Sequence, residues 1–414
     1  MTTGVHIAGI ACTALGKRPG DSVKALVGEA VAAALADAGA EVADIEAAWF
    51  SNTRQPMLEG QNTIRGQVAL RPLGFSGIPV VNIENACASG SSAVIQAIAH
   101  LRAGMCDIVL VVGAEKMVFP DQPGKVAAAF RGGTDIHELA ATRDYARRLG
   151  VDVDDESAGP RSIFMDLYAA QARLHMATFS TTQADFAAIA AKNHSHARHN
   201  PRAQYRTPMS VDQVLADKPI TFPFTRAMCA PVSDGAAAAV LCNERGLAKL
   251  QGARSRAVTI RAAVLRSGVD RAPEDFANHI GRLTALAAYE AASLGPEDVD
   301  VAEVHDATAY AELQQIENLG FAEPGSVGAR LAKGDFALGG RQPVSVSGGL
   351  LAKGHPVGAT GIVQMHDLVQ QLRGEAGPAQ VEGARIAVAE NGGGFLLGEE
   401  AATVTTVLES PPRR

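Results

Sequence analysis

The punctuation of this chain repeats, and that repetition limits its fold more than any single motif. An Ala-rich helical stretch, Gly39, Asp44-Ile45 and an apolar run through Trp49-Phe50 reappear as a helical stretch from Leu283 to Leu294, Gly295, Asp300-Val301 and a run through Val304. Gly39 to Gly295 and Asp44 to Asp300 span the same 256 residues. A fixed offset of this kind marks two diverged copies of one unit, and a helix leading to a strand in each copy makes the unit α/β. Two α/β halves are therefore expected, residues 1–125 (completed by about 226–252) and 253–414. Between them, residues 126–225 break the pattern with Arg131-Gly-Gly, an acidic run from Asp152 to Glu156, and helical periodicity over Ser162–Thr178 and Thr181–His199. This stretch is too long for a plain connector and is expected to form an inserted loop domain that carries function.

Within the first copy, Val5 to Ala11 reads as a strand and Asp21 to Ala38 as a helix stopped by Gly39. Ile78 to Ile83 reads as a buried strand, and Val94, Ala97, Ile98 and Leu101 recur at helical spacing before Gly104. Cys87 falls at the turn between them. A helix's first turn offers unpaired N–H groups and partial positive charge, which favour a thiolate, and Ala86, Ala88, Ser89 and Gly90 leave the sulfur accessible. Cys87 is thus either a nucleophile or a buried cysteine packed as a small hydrophobe. In the second copy, Val344 to Ser347 reads as a strand leading into Gly348–His355 and a helix bearing Ile362, Met365, Val369 and Leu372. Each half then sends one loop and one helix to a shared centre, since ligands in such sheets gather beyond the strand ends.

Composition narrows the functional classes. The 414 residues carry a formal charge of -7 and no Lys/Arg block, which argues against nucleic acid as a partner. No apolar run approaches ~20 residues, and Met1 to Ala11 lacks a signal-type pattern, so no membrane association and a cytoplasmic location are expected. Five scattered cysteines (Cys12, Cys87, Cys106, Cys229, Cys242) suggest neither disulfides nor a metal site. The tail Glu409-Ser-Pro-Pro-Arg-Arg414 is not a peroxisomal Ser-Lys-Leu address.

Four segments in sequence order carry a resemblance. Asn85-Ala-Cys87-Ala-Ser-Gly-Ser-Ser-Ala, Cys229-Ala-Pro-Val-Ser-Asp234-Gly235-Ala-Ala-Ala, Gly348-Gly-Leu-Leu-Ala-Lys-Gly-His355-Pro-Val-Gly-Ala-Thr-Gly361 and Glu390-Asn-Gly392-Gly-Gly394 resemble the nucleophile segment, Asp-Gly-Ala-Ala helix start, Gly-His-Pro loop and C-terminal glycine turn of the thiolase superfamily. The resemblance implies a duplicated five-layer αβαβα thiolase fold whose inserted domain covers the active site and binds coenzyme A. It implies that Cys87 takes an acyl group, that His355 activates Cys87 and polarises a thioester carbonyl, and that the Cys87 and Gly392 N–H groups meet an oxyanion. Cationic and imidazole side chains between Lys192 and Arg206 could attract the nucleotide phosphates, or simply form a solvated helix face.

Glu303-Val-His305-Asp-Ala307-Thr-Ala ends a strand and opens a helix, and resembles the His-Asp-Cys-Phe of sterol-carrier-type thiolases without its cysteine. Glu390 stands where other thiolases keep theirs. Neither place for a second catalytic cysteine is filled, so the proton on the leaving carbanion needs another handler: Glu390 first, with its pKa raised by burial, then His305. Alternatively Glu390 pairs with an Arg or Lys and only holds its loop.

The expected function is a thiolase-like acyltransferase, cleaving a β-ketoacyl-CoA with coenzyme A or running the reverse Claisen condensation. Its cofactor is none tightly bound, coenzyme A being substrate or product. The resemblance implies a homodimer or dimer of dimers, and relatives with His-Asp-Ala suggest a small OB-fold zinc-ribbon partner. Cys87 with His305 and His355 is also similar to ketoacyl synthases, which keeps open a condensing enzyme with a non-CoA acceptor. A third possibility is a non-catalytic scaffold subunit.

Overall fold

The computed structural model describes residues 4–154, 157, 161–250 and 252–412; the end of the Asp152–Glu156 run and of the C-terminal tail lie outside the described residues. Nine strands make one hydrogen-bonded surface: β1 (Val5–Cys12), β2 (Ala47–Ser51), β3 (Val80–Ile83), β4 (Ile108–Glu115), β5 (Gly235–Asn243), β6 (Val258–Ser267), β7 (Val301–Glu303), β8 (Ile386–Leu396) and β9 (Glu399–Glu409). Their order, β3-β2-β4-β5-β1-β6-β9-β8-β7, is a five-strand run followed by its mirror sequence without the outermost strand. In the first half β2 is parallel to β3 and β4 while β5 is antiparallel to β4 and β1. The second half repeats this, with β7 parallel to β8 and β9 antiparallel to β8 and β6. Only His6↔Thr259 and Ile7↔Val258 join the halves along the ladder.

The structure corrects the period. The left-handed residue ending helix Val23–Ala38 is Gly39 (φ 60°), and the one ending helix Ile280–Ala292 is Ser293 (φ 56°). Asp44 and Asp298 close matching caps, and β2 and β7 begin at Ala47 and Val301, so the offset is 254 residues (293 less 39, 298 less 44, 301 less 47). Gly295 is extended (φ −124°) and is no helix stop. Serine in the second copy holds a conformation that costs a side-chain-bearing residue ~1–2 kcal/mol, which is why glycine alone misled the alignment.

Three cores separate five layers. Leu26, Val27, Ala30 and Val31 of helix Val23–Ala38 pack on the outer face of the first sheet, including Ala48, Leu110 and Val112. Trp49, Val109 and Val111 point the other way, meeting Ala387 and Ala389 across helices Ser89–Arg102 and Thr360–Arg373. Ala285, Ala288 and Tyr289 of helix Ile280–Ala292 cover the far face, together with helices Ile163–Phe179 and Gln183–Ala197. A strand such as β4 is apolar from Ile108 to Ala114 because both faces are covered.

Three local expectations fail. β3 is short and half-exposed because it is the outermost strand, with a neighbour on one side only. The Asp234-Gly235-Ala-Ala segment starts a strand, β5, not a helix: its alanines lie flat between β1 and β4, and Asp234 is fixed by Lys116 and the Met117 and Val118 N–H groups. Val344–Ser347 is reduced to one bridge between Val344 and Ala302. Among the described residues no helix is long and apolar enough to cross a membrane.

The two central helices approach at glycines. A Cβ on Gly361 would lie 2.0 Å from Ser91 Oγ and 2.6 Å from Ser91 N, whereas one on Gly20 would meet nothing within 4 Å. Gly361→Ala is expected to lower stability by ~1–3 kcal/mol through overpacking, and Gly20→Ala to stay within ~0.5 kcal/mol. Denaturant midpoints of the two variants check this; equal values would refute the close approach.

Candidate active site

The Cys87 turn is built from short polar side chains. Ser89 Oγ accepts from Asn85 N (2.8 Å) and donates to the Ala86 carbonyl (2.6 Å), while Asn85 Nδ2 donates to Ser92 Oγ (2.9 Å). Ala86 takes a left-handed conformation (φ 47°), which turns the chain sharply just before helix Ser89–Arg102. Cys87 is 6% exposed, and burial pushes its thiol up to about 12, with Arg54 pulling it down and Glu115, Glu400 and Glu84 pushing it up. The expected preference of the helix terminus for a thiolate is therefore outweighed by desolvation: Cys87 rests as a thiol.

The His355 loop is fastened to the first half. Glu115 on β4 accepts from Gly358 N (2.9 Å) and from Arg54 N (2.9 Å), and Ser233 Oγ accepts from His355 N (3.1 Å). His355 Nδ1 lies 2.7 Å from Thr360 Oγ1, whose hydroxyl donates to the Pro356 carbonyl (3.1 Å). That network assigns the proton to Nδ1, leaving the Nε2 lone pair free. Burial, then His305 and Arg54, hold the ring's pKa well below the usual imidazole range.

His305 has the opposite tautomer. Its Nδ1 lies 3.2 Å from Asn391 Nδ2, and Asn391 Oδ1 accepts from Ser91 Oγ (2.8 Å), so Asn391 donates and His305 carries its proton on Nε2. Burial lowers its pKa to about 4. The two rings stand 5.1 Å apart at 80°, and the sulfur and ring-nitrogen ligand atoms of Cys87, His305 and His355 lie within 4.8 Å of one another. A buried thiol, an imidazole that accepts and an imidazole that donates thus converge. Sulfur and two imidazoles are also zinc-ligand types.

Glu390 lies behind this trio. Its Oε2 accepts from His305 N (3.0 Å), its buried Oε1 has no hydrogen-bond partner, and burial, reinforced by Glu400, raises its pKa well above the carboxylate range. Among the described residues it has no Arg or Lys partner, so that alternative is not realised. Gly392 sits in β8 opposite Thr403; Gly393 and Gly394 form the cavity wall, and a Cβ on Gly393 would lie 2.5 Å from Ala88 N. Ala307 borders the cavity.

The cavity has a volume of about 400 Å³ and includes Cys87, His305, His355 and Glu400. The inserted segment supplies an apolar wall: Phe130 packs edge-on to Phe164, and Phe395 of β8 contacts both Phe164 and Tyr168. Arg161, Tyr205 and Arg226 also line it, and Tyr205 and Arg226 lead on to a second cavity of about 610 Å³ containing Arg206. The Lys192–Arg206 run is split. Lys192 pairs with Glu312 (2.8 Å), and His194 and His196 are buried on the Ala227 and Ser345 carbonyls, so these are neither phosphate ligands nor a solvated face.

Sequence reasoning missed Asn391, Thr360, Ser91 and Glu400. The first three lie inside the quoted motifs, where an amide or hydroxyl beside a histidine is the signal for a tautomer-setting partner. Glu400 follows a hairpin turn and reads as an ordinary surface acid.

Residues 5–245 match the family "Thiolase, N-terminal domain" and residues 268–409 match "Thiolase C-terminal domain-like". The chain belongs to the thiolase family, whose members named below as an acetyltransferase and a thiolase are acyltransferases. It is 34% identical to acetyl-CoA acetyltransferase of Methanothermobacter thermautotrophicus over 395 residues, 94% of this chain and 96% of that one. It is 31% identical to benzoylsuccinyl-CoA thiolase subunit BbsB of Thauera aromatica (91% of each). It is 34% identical to rabbit (Oryctolagus cuniculus) sterol carrier protein 2 over 92% of this chain, and spans 66% of that relative's length. Among solved structures, an Ltp2-ChsH2(DUF35) aldolase superposes with a TM-score of 0.77 at 22% identity, covering 99% of this chain and 98% of that one. The five-layer thiolase fold expected from the resemblance is the fold found.

Proposed function

We propose that this protein is a β-ketoacyl-CoA thiolase or the corresponding Claisen-condensing enzyme, working through an acyl group on Cys87. The observation that supports it best is the pair of opposite tautomers around a buried thiol. His355 Nε2 accepts the Cys87 proton as sulfur attacks a carbonyl, and His305 Nε2–H donates to the oxygen that becomes negative. The Cys87 and Gly392 N–H groups complete the cradle for the tetrahedral intermediate. Both imidazoles are neutral near physiological pH because they are buried, which suits one to take a proton and the other to share one.

Coenzyme A is substrate or product. Its pantetheine arm enters past Tyr205 and Arg226, with Arg206 on the outer cavity available to phosphate. The aromatic wall suits a bulky or aryl acyl chain, a reading supported by the name of the benzoylsuccinyl-CoA relative. A homodimer and a small OB-fold partner in the cytoplasm complete the proposal; the name of the Ltp2-ChsH2(DUF35) neighbour describes a two-component assembly. Cys-His-His geometry also favours a second reading, condensation onto a non-CoA acceptor.

Incubation with a panel of acyl-CoAs, followed by intact-mass measurement, tests acyl transfer; absence of any adduct on Cys87 would point to the scaffold role. Thiolysis of acetoacetyl-CoA separates the two enzymatic readings. Dialysis against EDTA is expected to leave turnover unchanged, because the trio acts on substrate directly. A loss restored by zinc would reassign Cys87, His305 and His355 as metal ligands.

A further inference from the structure

With Ala307 and Glu390 at the two positions where the resemblance would place a second cysteine, the proposed reaction still needs a group that moves a proton at the α-carbon. We propose that Glu400 is that group, protonating the departing α-carbon in cleavage and removing its proton in condensation. This rests on the acyl-transfer reading above.

Glu400 is the one carboxyl in the wall of the Cys87 cavity among the described residues. It is 3% exposed, and its carboxyl is held at two points: Thr403 Oγ1 donates to Oε2 (2.6 Å) and Gln315 Nε2 to Oε1 (3.3 Å). Space for it comes from the glycine turn. A Cβ on Gly392 would sit 2.1 Å from Glu400 Oε1, so glycine there makes room for the carboxyl as well as offering an N–H.

The alternatives are less suited. Glu390 is absent from the cavity wall and spends one oxygen on the His305 N–H. Cys229 does line the cavity, but its thiol is directed to the Thr225 carbonyl (3.6 Å) and burial pushes it up to about 12. Tyr168, also in the wall, is pushed well above the usual phenol range by burial. Burial brings the Glu400 carboxyl up to about 7, opposed by the Thr403 hydroxyl, raised by Glu399 and lowered by Arg271. Glu390, Tyr168 and Cys87 in turn feel the charge of Glu400. A carboxyl balanced near neutrality serves equally as donor and acceptor.

The step balances without a further reactant. Cys87 sulfur attacks the β-keto carbon and its proton passes to His355; the Cα–Cβ bond breaks, its electron pair forms the enolate of the shorter acyl-CoA, and Glu400 supplies the proton that makes it a methyl or methylene. Coenzyme A then attacks the acyl-cysteine, returning its thiol proton to Glu400, and the leaving Cys87 thiolate recovers its proton from His355.

Wash-in of deuterium from D2O at the α-carbon of acetyl-CoA reads this step apart from acylation. Glu400→Gln is expected to lose exchange and thiolysis by ~10²-fold or more; Cys87 still acylates in the intact mass, more slowly because Glu400 also protonates the departing coenzyme A thiolate, and Glu400→Asp recovers part of the exchange. In the wild type, exchange should rise with pH through about 7. Thr403→Val, which removes a donor to the carboxylate, should move that rise to higher pH. Exchange in Glu400→Gln within about threefold of wild type would overturn the proposal. So would an unmoved midpoint in Thr403→Val, which decides the matter if Glu400→Gln does not fold. An unacylated wild-type Cys87 is a different signal: it removes the acyl-transfer reading itself.

Discussion

Cys87→Ala is expected to abolish both the acyl adduct and turnover, lowering kcat by at least ~10⁴-fold with little change in stability. The magnitude follows from covalent chemistry: with that sulfur gone the two imidazoles have no thiol beside them to hold the acyl group between the two half-reactions, since Cys229, the other thiol in the wall, is turned to the Thr225 carbonyl. A methyl fits the space because Cys87 already packs among apolar neighbours, including Leu58, Met117 and Val357. Intact-mass detection after mixing with acyl-CoA, beside a denaturation midpoint, separates lost chemistry from lost fold. Turnover retained in the variant would remove Cys87 from the mechanism.

His355→Asn should have the second largest effect, ~10²–10⁴-fold on acylation, and a pH dependence unlike the wild type's. With a thiol near 12 in its buried setting, only ~10⁻⁵ of Cys87 is thiolate at neutral pH, so attack depends on proton removal in the same step. Without the imidazole, the reactive form is the pre-existing thiolate, and because its pKa is raised that form grows about tenfold for each pH unit below the thiol's pKa. The variant's acylation rate should therefore climb steadily across the alkaline range, where the wild type, with a neutral base in place, is flat. Stopped-flow acylation against pH checks it; a flat profile in the variant would mean another base is acting.

Much of the fold was legible because duplication and glycine punctuation are visible one residue at a time. Strand β1, helix Val23–Ala38 and both central helices follow from apolar period and cap residues. The alanine run after Asp234 was not legible: alanine favours helix intrinsically, and only the tight gap between β1 and β4 makes those small side chains a strand. Burial was the other blind spot. Lys192, His194 and His196 look like a basic surface on paper, yet their partners Glu312, Ala227 and Ser345 lie 33 or more residues away in sequence. Within the site, Cys87 and His355 were found from their motifs, whereas the state of the Cys87 thiol depends on Arg54, Glu115 and Glu400, which sequence spacing does not connect to it.

The close approach of Gly90 to Gly361 sets the stoichiometry of the molecule. Each is the second residue of a 14-residue helix, one from each copy, so the pseudo-twofold axis runs near the place where they meet. A reaction centre built where the loops of both copies meet on such an axis exists once. Two ancestral repeats therefore share one site, and saturating acylation should stop at a single equivalent per polypeptide.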